Sequence, residues 1–297
     1  MAPDSTGTLY LVATPIGNLE DISLRALRIL HEVALIAAED TRHTRKLLAH
    51  HKIPARLASL HEHNEQAQTP SLLARLQAGE SIAVVSDAGT PGLSDPGTTL
   101  VNAAAAAGIP VVPIPGPNAF IAALVASGLP PTPVTFLGFL PSGRGERQRV
   151  LETARSLPYT LVFYEAPHRL LETLQALCTI WGEGQRAAVA REMTKMHEEV
   201  FRGSLREALD HFSAHPPRGE FTLVVEGAPA GAAAGPAIAA PVEPVETPEE
   251  VARRVLREAL TGKIRPLEAV HHAARASGLR RNEVYRLWME LKQEGRR

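Results

Sequence analysis

The stretch Ser81–Gly97, SIAVVSDAGTPGLSDPG, constrains this chain more than any other. Ile82–Val85 is an apolar run of the length and composition of a buried strand. Beyond it regular structure is excluded, because three glycines, two prolines and two aspartates fall within the eleven residues Asp87–Gly97. A strand that gives way at once to such a loop sets backbone amides, carbonyls and carboxylates at the C-terminal edge of a sheet. In open α/β sheets ligands bind at that edge. A plain connecting turn is the simpler reading of a Gly/Pro loop. This loop is long, carries Asp87 and Asp95, and has counterparts elsewhere in the chain.

Those counterparts follow the same logic. Leu9–Ala13 reads as an opening strand ending at Thr14-Pro15-Ile16-Gly17-Asn18. Ser23 is placed to cap a helix through His31, with Leu24, Leu27 and Leu30 at helical spacing. Val33–Ala37 reads as a second strand, ending in Glu39-Asp40-Thr41-Arg42-His43 and followed by a helix carrying Leu47 and Leu48. Ala58–Leu60 is a short third strand before His61-Glu62-His63-Asn64-Glu65. Thr69-Pro70 is a helix start and Gly79 a stop. Thr98–Ala107 is an alanine-rich helix closed by Gly108, and Pro110–Ile114 a strand ending in Pro115-Gly116-Pro117-Asn118. This alternation predicts an N-terminal α/β domain over 8–127 with a mostly parallel sheet.

From about Thr132 the texture changes. Val134–Leu140, Tyr159–Tyr164, Ala187–Ala190, Glu198–Phe201 and Phe221–Val225 read as strands. Helices are expected at Glu146–Ser156, His168–Trp181 and Leu205–His211. The expectation is a second α/β domain over 128–227 with a mixed sheet. Residues 228–248, nearly all Ala, Pro, Gly and Val, read as a linker. Glu249–Leu260, Leu267–Ala276 and Arg281–Gln293 then read as three short amphipathic helices in 249–297. Ser277-Gly278-Leu279 breaks the last two as a helix-turn-helix requires.

Composition excludes several classes. With 297 residues and 44% hydrophobic content, two domains and an appendage can be built around full cores. The single cysteine, Cys178, rules out an internal disulfide and fits a reducing compartment. Without an apolar run of membrane-spanning length or a leader-like N-terminus, a soluble cytoplasmic protein with no membrane partner is expected. Val251–Arg297 holds 12 Lys and Arg against 5 Asp and Glu although the whole chain carries a net −1. A basic tail on an acidic body suggests a polyanionic partner.

Four breaker-rich loops thus follow four strands, and in a parallel sheet all four lie along one edge. Such a cleft, lined by backbone groups and a few carboxylates, suits a nucleoside-bearing ligand. No G-x-G-x-x-G follows the first strand and no P-loop motif is present. The segments TLYLVATPIGNLEDISLRAL, AEDTRHTRKLL, SLHEHNE, VVSDAGTPGLSDPG, PIPGPNA, FLGFLP, FYEAPHRLLETL and REMTKMHEE stand in this order. Over roughly Thr8–Val225 this series resembles the bacterial small-subunit rRNA (cytidine-2′-O)-methyltransferases of the tetrapyrrole methylase superfamily. The tail resembles that family's helix-turn-helix appendage.

The resemblance implies two α/β domains with S-adenosylmethionine in the cleft between them. It also implies methyl transfer to the 2′-hydroxyl of a cytidine in the decoding region of 16S rRNA, within the small ribosomal subunit, by a homodimer. By motif, Pro15 and Gly17 are expected near the active site. Asp87, Ala88, Gly89, Leu93, Ser94 and Asp95 would hold the cofactor, with Pro115, Asn118 and Ala119 facing it from the next strand. Phe139, Tyr164, Arg191, Phe221 and Thr222 would line the other wall.

Methyl transfer is an in-line displacement, so alignment supplies much of the rate, and a base or cation near the hydroxyl helps. Glu39, His43, His61, Glu165 and Lys195 are the catalytic candidates, with Asp40, Glu62, His63, His168 and Glu198 also in motif positions. His61-x-His63 lacks an apparent third ligand, so no metal is expected. Arg42, Arg45, Lys46, Arg144, Arg147 and Arg149 on the body are candidate phosphate contacts. Arg280, Arg281, Arg286, Lys292, Arg296 and Arg297 are their counterparts in the tail. Tyr285 and Trp288 are expected to pack the small helical core. Two other readings stay open on the residues alone: a tetrapyrrole-type small-molecule methyltransferase, and a nucleic-acid-binding ligand sensor without enzymatic activity.

Overall fold

The computed structural model describes residues 6–228, 248–261, 266–277 and 279–294. The residues up to 228 and those from 248 onward form two separate bodies. The expected linker lies almost wholly outside the described residues, as do Gly278, Arg296, Arg297 and the side chain of Lys292.

The larger body opens with strands β1 (Leu9–Val12), β2 (Leu35–Ala38), β3 (Leu57–Ser59), β4 (Ile82–Val85) and β5 (Val111–Ile114). They form one sheet in the order β3-β2-β4-β1-β5, parallel at every pairing. Parallel neighbours need crossovers, and helices α1 (Leu24–Glu32), α2 (Thr41–His50), α3 (Glu65–Gln77) and α4 (Thr98–Ala106) supply them. β2 and β4 are buried along their whole length, the mark of a sheet covered on both faces. In this order β1 leads leftward to β2 and β4 leads rightward to β5, so their exits diverge. Divergent exits open a crevice at the carboxyl edge. Thr14 and Gly89 bridge it, each donating its N–H to the other's carbonyl, at 2.8 and 3.0 Å.

Two local expectations are corrected. α3 begins at Glu65, and Pro70 lies inside it. The chain is already turned at His61, whose N–H donates to Asn64 Oδ1 at 2.8 Å, so the helix starts early and tolerates the ladder bond that Pro70 cannot give. In α1, capped by Ser23 as expected, the core face is Ala26, Ile29 and Leu30. Leu24 is 85% exposed, because the 100° helical step places it on the side of α1 opposite Ala26, Ile29 and Leu30.

The second sheet joins β6 (Val134–Phe139), β7 (Thr160–Glu165), β8 (Arg186–Arg191), β9 (Glu199–Ser204) and β10 (Phe221–Val225) in the order β6-β7-β10-β8-β9. β6 and β7 are parallel and the other pairs antiparallel, the mixed sheet expected. One face carries Leu161, Phe163, Val189 and Leu223 against α6 (Arg144–Ala154), α7 (Leu170–Trp181) and α8 (Leu205–Ala214). The other face carries Val162, Ala188, Ala190 and Val224 against Ala123 and Leu124 of α5 (Ala119–Ala126). The helix that follows the last strand of the first sheet therefore packs on the second sheet, clamping the two layers together.

The small body holds α9 (Pro248–Thr261), α10 (Pro266–Ser277) and α11 (Arg281–Glu294). Its core includes Ala252, Leu256, Ala269, Ala273, Val284, Leu287, Trp288 and Leu291. Trp288 packs inside as expected, but Tyr285 is 57% exposed. One residue on from Val284, the 100° helical step turns it out of the core stripe. No helix among the described residues is long and apolar enough to cross a membrane.

Candidate active site

A cavity of about 370 Å³ opens between the carboxyl edge of the first sheet and the second sheet. Its first wall is Ile16, Glu39, Asp87–Thr90, Leu93–Asp95, Asn118 and Ala119; its second is Phe139, Tyr164–Pro167, Ala190, Met193 and Gly219–Thr222.

The first wall is held by side chains that bond to backbone. Asp87 Oδ1 accepts from the Asp40 N–H at 3.0 Å, and Glu39 Oε2 accepts from the Asp87 N–H at 3.2 Å. The ends of β2 and β4 are thereby tied to each other. Asn118 caps α5 through the Ile121 N–H and donates to Thr90 Oγ1 at 3.2 Å. The far end of the Asp87 loop runs into α4, whose cap position is Gly97 at φ +128°. A glycine takes that conformation but has no side chain to cap with. Glu65, buried on α3, fills the role: its Oε1 accepts from the N–H groups of Gly97, Thr99 and Leu100 at 3.0, 2.7 and 3.3 Å. A carboxylate there also complements the helix dipole.

Three carboxylates, Glu39, Asp87 and Asp95, share this wall. Burial, then the charge of Glu39, with a smaller contribution from Asp87, push Asp95 up to about 6, and a hydrogen bond with Ser86 partly offsets the rise. An acidic wall with apolar Ile16 and Leu93 beside it fits a ligand that joins a cationic sulfonium and ammonium to a nucleoside. The donors and acceptors are those such a ligand needs, so the residues present fit S-adenosylmethionine.

In the second wall burial also raises the Tyr164 hydroxyl. Glu165 lines the cavity but is fully committed. Its Oε1 accepts from the Ala166 N–H at 2.9 Å and lies 3.3 Å from Arg169, and its Oε2 accepts from Thr173 at 2.6 Å. Arg169 in turn donates to the carbonyls of Leu140 and Pro141 at 2.8 and 2.9 Å. The geometry makes Glu165 a brace for the chain after β6.

Of the sequence-expected residues, Glu39, Asp87, Ala88, Gly89, Leu93, Ser94, Asp95, Asn118, Ala119, Phe139, Tyr164, Glu165, Phe221 and Thr222 come together around the cavity. Pro15, Gly17, Pro115, Arg191, His43, His61 and Lys195 are not among its lining residues. Gly17 instead lets two loops touch: a Cβ there would lie 2.3 Å from Lys195 Cγ. Lys195 Nζ is paired with Glu192 at 2.8 Å and Glu220 at 3.1 Å, so it fastens the turn after β8. Arg191 donates to the Arg218 carbonyl and pairs with Glu199. His43 is exposed on the first turn of α2 and His61 half-buried beside His63.

Among the cationic candidates, Arg45, Lys46, Arg144, Arg149, Arg280, Arg281 and Arg286 are exposed. Arg42 pairs with Asp40 at 2.9 Å while remaining exposed. Arg147 is corrected: only 2% exposed, it stands on the buried face of α6 with Glu172 of α7 2.5 Å away, because α6 turns that face to α7. Thr90, Ala166, Pro167, Ala190, Met193, Gly219 and Glu220 also line the cavity. All but Ala190, Gly219 and Glu220 lie inside the motif segments; Ala190 directly precedes the last of them, while Gly219 and Glu220 lie outside every segment and were signalled only by their position next to Phe221. Glu65 stands in SLHEHNE beside three candidates, and only the position of α4 reveals its role.

These two layers are shared by known proteins. The family model for Tetrapyrrole (Corrin/Porphyrin) Methylases matches residues 8–209. A diphthine synthase structure superposes with a TM-score of 0.59 at 14% identity over 74% of this chain and 90% of that one. Uroporphyrin-III C-methyltransferase from Thermus thermophilus, complexed with S-adenyl homocysteine, gives 0.54 at 20% identity over 73% and 97%. The fold is that of a tetrapyrrole methylase.

The RsmI C-terminal HTH domain model matches residues 245–292. Ribosomal RNA small subunit methyltransferase I of Synechocystis is 46% identical over 97% of this chain and 100% of its own length. Its namesake in Pseudomonas aeruginosa is 46% identical over 95% and 96%, and that of Xylella fastidiosa 52% over 75% and 82%. The chain belongs to the ribosomal RNA small subunit methyltransferase I family.

Proposed function

We propose that this protein transfers a methyl group from S-adenosylmethionine to the ribose 2′-hydroxyl of a cytidine in the decoding region of 16S rRNA. The observation that carries the reading is the acidic wall, Glu39, Asp87 and Asp95, at the divergent exits of β1 and β4 in a chain of this family. S-adenosylmethionine, when bound, supplies an electrophilic methyl on a cationic sulfur. Asp87 to Thr90, Leu93 to Asp95, Asn118 and Ala119 would hold it, and the three carboxylates favour its charge. Tyr164, Ala166, Pro167 and Met193 exclude water from the same space. Asp95, pushed up to about 6, can exchange a proton near neutral pH inside the cavity.

The assembled small subunit is the substrate in this reading, with the basic tail adding affinity for RNA that the acidic body lacks. Self-association as a homodimer is supported by Ile121 and Val125, one turn apart on α5 and left outside at 49 and 69% exposure. A cytoplasmic location follows from the substrate. Undermethylated small subunits and naked 16S rRNA offered side by side with labelled S-adenosylmethionine test the reading. Label is expected in the RNA of the subunits; label in neither, with the cofactor bound, would refute it. Sedimentation of the protein alone tests the dimer.

A further inference from the structure

Phe139 is the outermost aromatic of the cavity, and a backbone irregularity puts it there. β6 is the edge strand of the second sheet. Its register against β7 runs Val134↔Thr160, Thr135↔Leu161 and Phe136↔Val162, then jumps to Phe139↔Tyr164. Three steps along β6 match two along β7, so one residue is extra, and Gly138 at φ +62° lies within the irregularity. An extra residue reverses the alternation of faces. Phe136 and Phe139, three apart, therefore share a face. Both rings reach Tyr164, with centroids at 5.1 and 5.4 Å. The irregularity is held from the first wall: a Cβ on Gly138 would sit 3.0 Å from Ser94 Oγ, so the cofactor loop and this bend touch.

The result is a ring fixed at its inner edge and 57% exposed at its outer face, on the rim of the cavity, whereas Phe221 deeper inside is 2% exposed. The next helix, α6, carries Arg144 and Arg149 on its exposed side, and neither guanidinium has a partner among the described residues. An open aromatic face followed by free cations is the combination that holds a nucleotide out of its stack. An enzyme acting on one nucleotide of a folded RNA must draw it out, and the lost stacking is offset where the base meets a new partner. We infer that Phe139 is the platform on which the target base stacks, setting the ribose hydroxyl over the cavity, with Arg144 and Arg149 on neighbouring phosphates. This rests on the methyl transfer proposed above. Phe139 is then a residue for the RNA and not, as its motif position suggested, for the cofactor.

Phe139→Ala, Phe139→Leu and Phe139→Trp in the full chain test it, with kcat/KM measured on undermethylated small subunits and cofactor affinity by calorimetry. Thermal unfolding checks that each variant is folded; an exposed ring should move Tm little. The alanine and leucine variants are expected to lose roughly fivefold to hundredfold in kcat/KM on the RNA. The tryptophan variant should stay close to the unaltered protein, and all three should bind S-adenosylmethionine within about twofold of it, since stacking on the RNA leaves the cofactor's contacts intact. A parallel loss of cofactor affinity, leucine performing as well as tryptophan, or an unchanged kcat/KM would each overturn the inference. Absence of transfer by the unaltered protein would overturn the methyl-transfer reading itself, and this one with it.

Discussion

Glu39 and Asp87 hold the candidate site by exchange: Glu39 Oε2 accepts from the Asp87 N–H, and Asp87 Oδ1 accepts from the N–H next to Glu39, that of Asp40. Each carboxylate uses one oxygen on backbone, leaving its charge on the cavity side. The pair both sets the spacing of two loops and charges the wall between them.

Asp87→Asn separates these roles. The amide oxygen still accepts from Asp40, so Tm should move little. Losing a charged acceptor should weaken S-adenosylmethionine by roughly tenfold or more. Calorimetry and thermal unfolding on one preparation check both; unchanged affinity would remove Asp87 from cofactor binding.

Glu65 caps α4 from another helix. Glu65→Ala leaves three N–H groups without their acceptor and should cost about 2–3 kcal/mol. In a body of this size that lowers Tm by roughly 5–10 °C. Glu65→Gln keeps one acceptor and should lose less than half as much. Because α4 anchors the Asp87 loop, cofactor affinity should fall in the same order.

Asp95 gives the site a pH signature. It keeps its proton to about pH 6 when folded, against 3.8 for a free aspartate. Between these values the folded protein binds more protons, so stability declines as pH rises, and the cost is complete above about 6. Asp95→Asn should therefore raise Tm at pH 8, with the gain gone below pH 3.8. A cation in the cavity favours ionised Asp95, so cofactor affinity should weaken as pH falls through about 6 and be flatter in the asparagine variant.

A chain ending at residue 228 lacks the small body. It should keep cofactor affinity and lose much of its affinity for small subunits, with a reduced salt dependence of binding. Equal losses in both would contradict a role for the tail in RNA binding.

Much of this was legible in the sequence, for local reasons. Ile82–Val85 and Phe221–Val225 are strands at the expected bounds, because apolar β-formers meet strong breakers at each end. The Asp87 loop lies at the sheet edge because a parallel sheet leaves it nowhere else. What stayed hidden depends on distant partners. Glu65 reads as one more polar residue until α4 is beside it. Arg147 reads as a surface cation until α7 covers it. Phe139 lies in a motif, but its outward aim depends on a shift against β7 that no period in β6 announces.

The most direct measurement is the position of the methyl group. Small subunits labelled by this protein are digested, and the modified nucleotide is mapped by mass spectrometry. A methyl on the ribose of a single decoding-region cytidine, lost with Asp87→Asn at limiting cofactor, is the predicted result. A methyl on a base, on protein or on a tetrapyrrole, with none on ribose, would contradict the account.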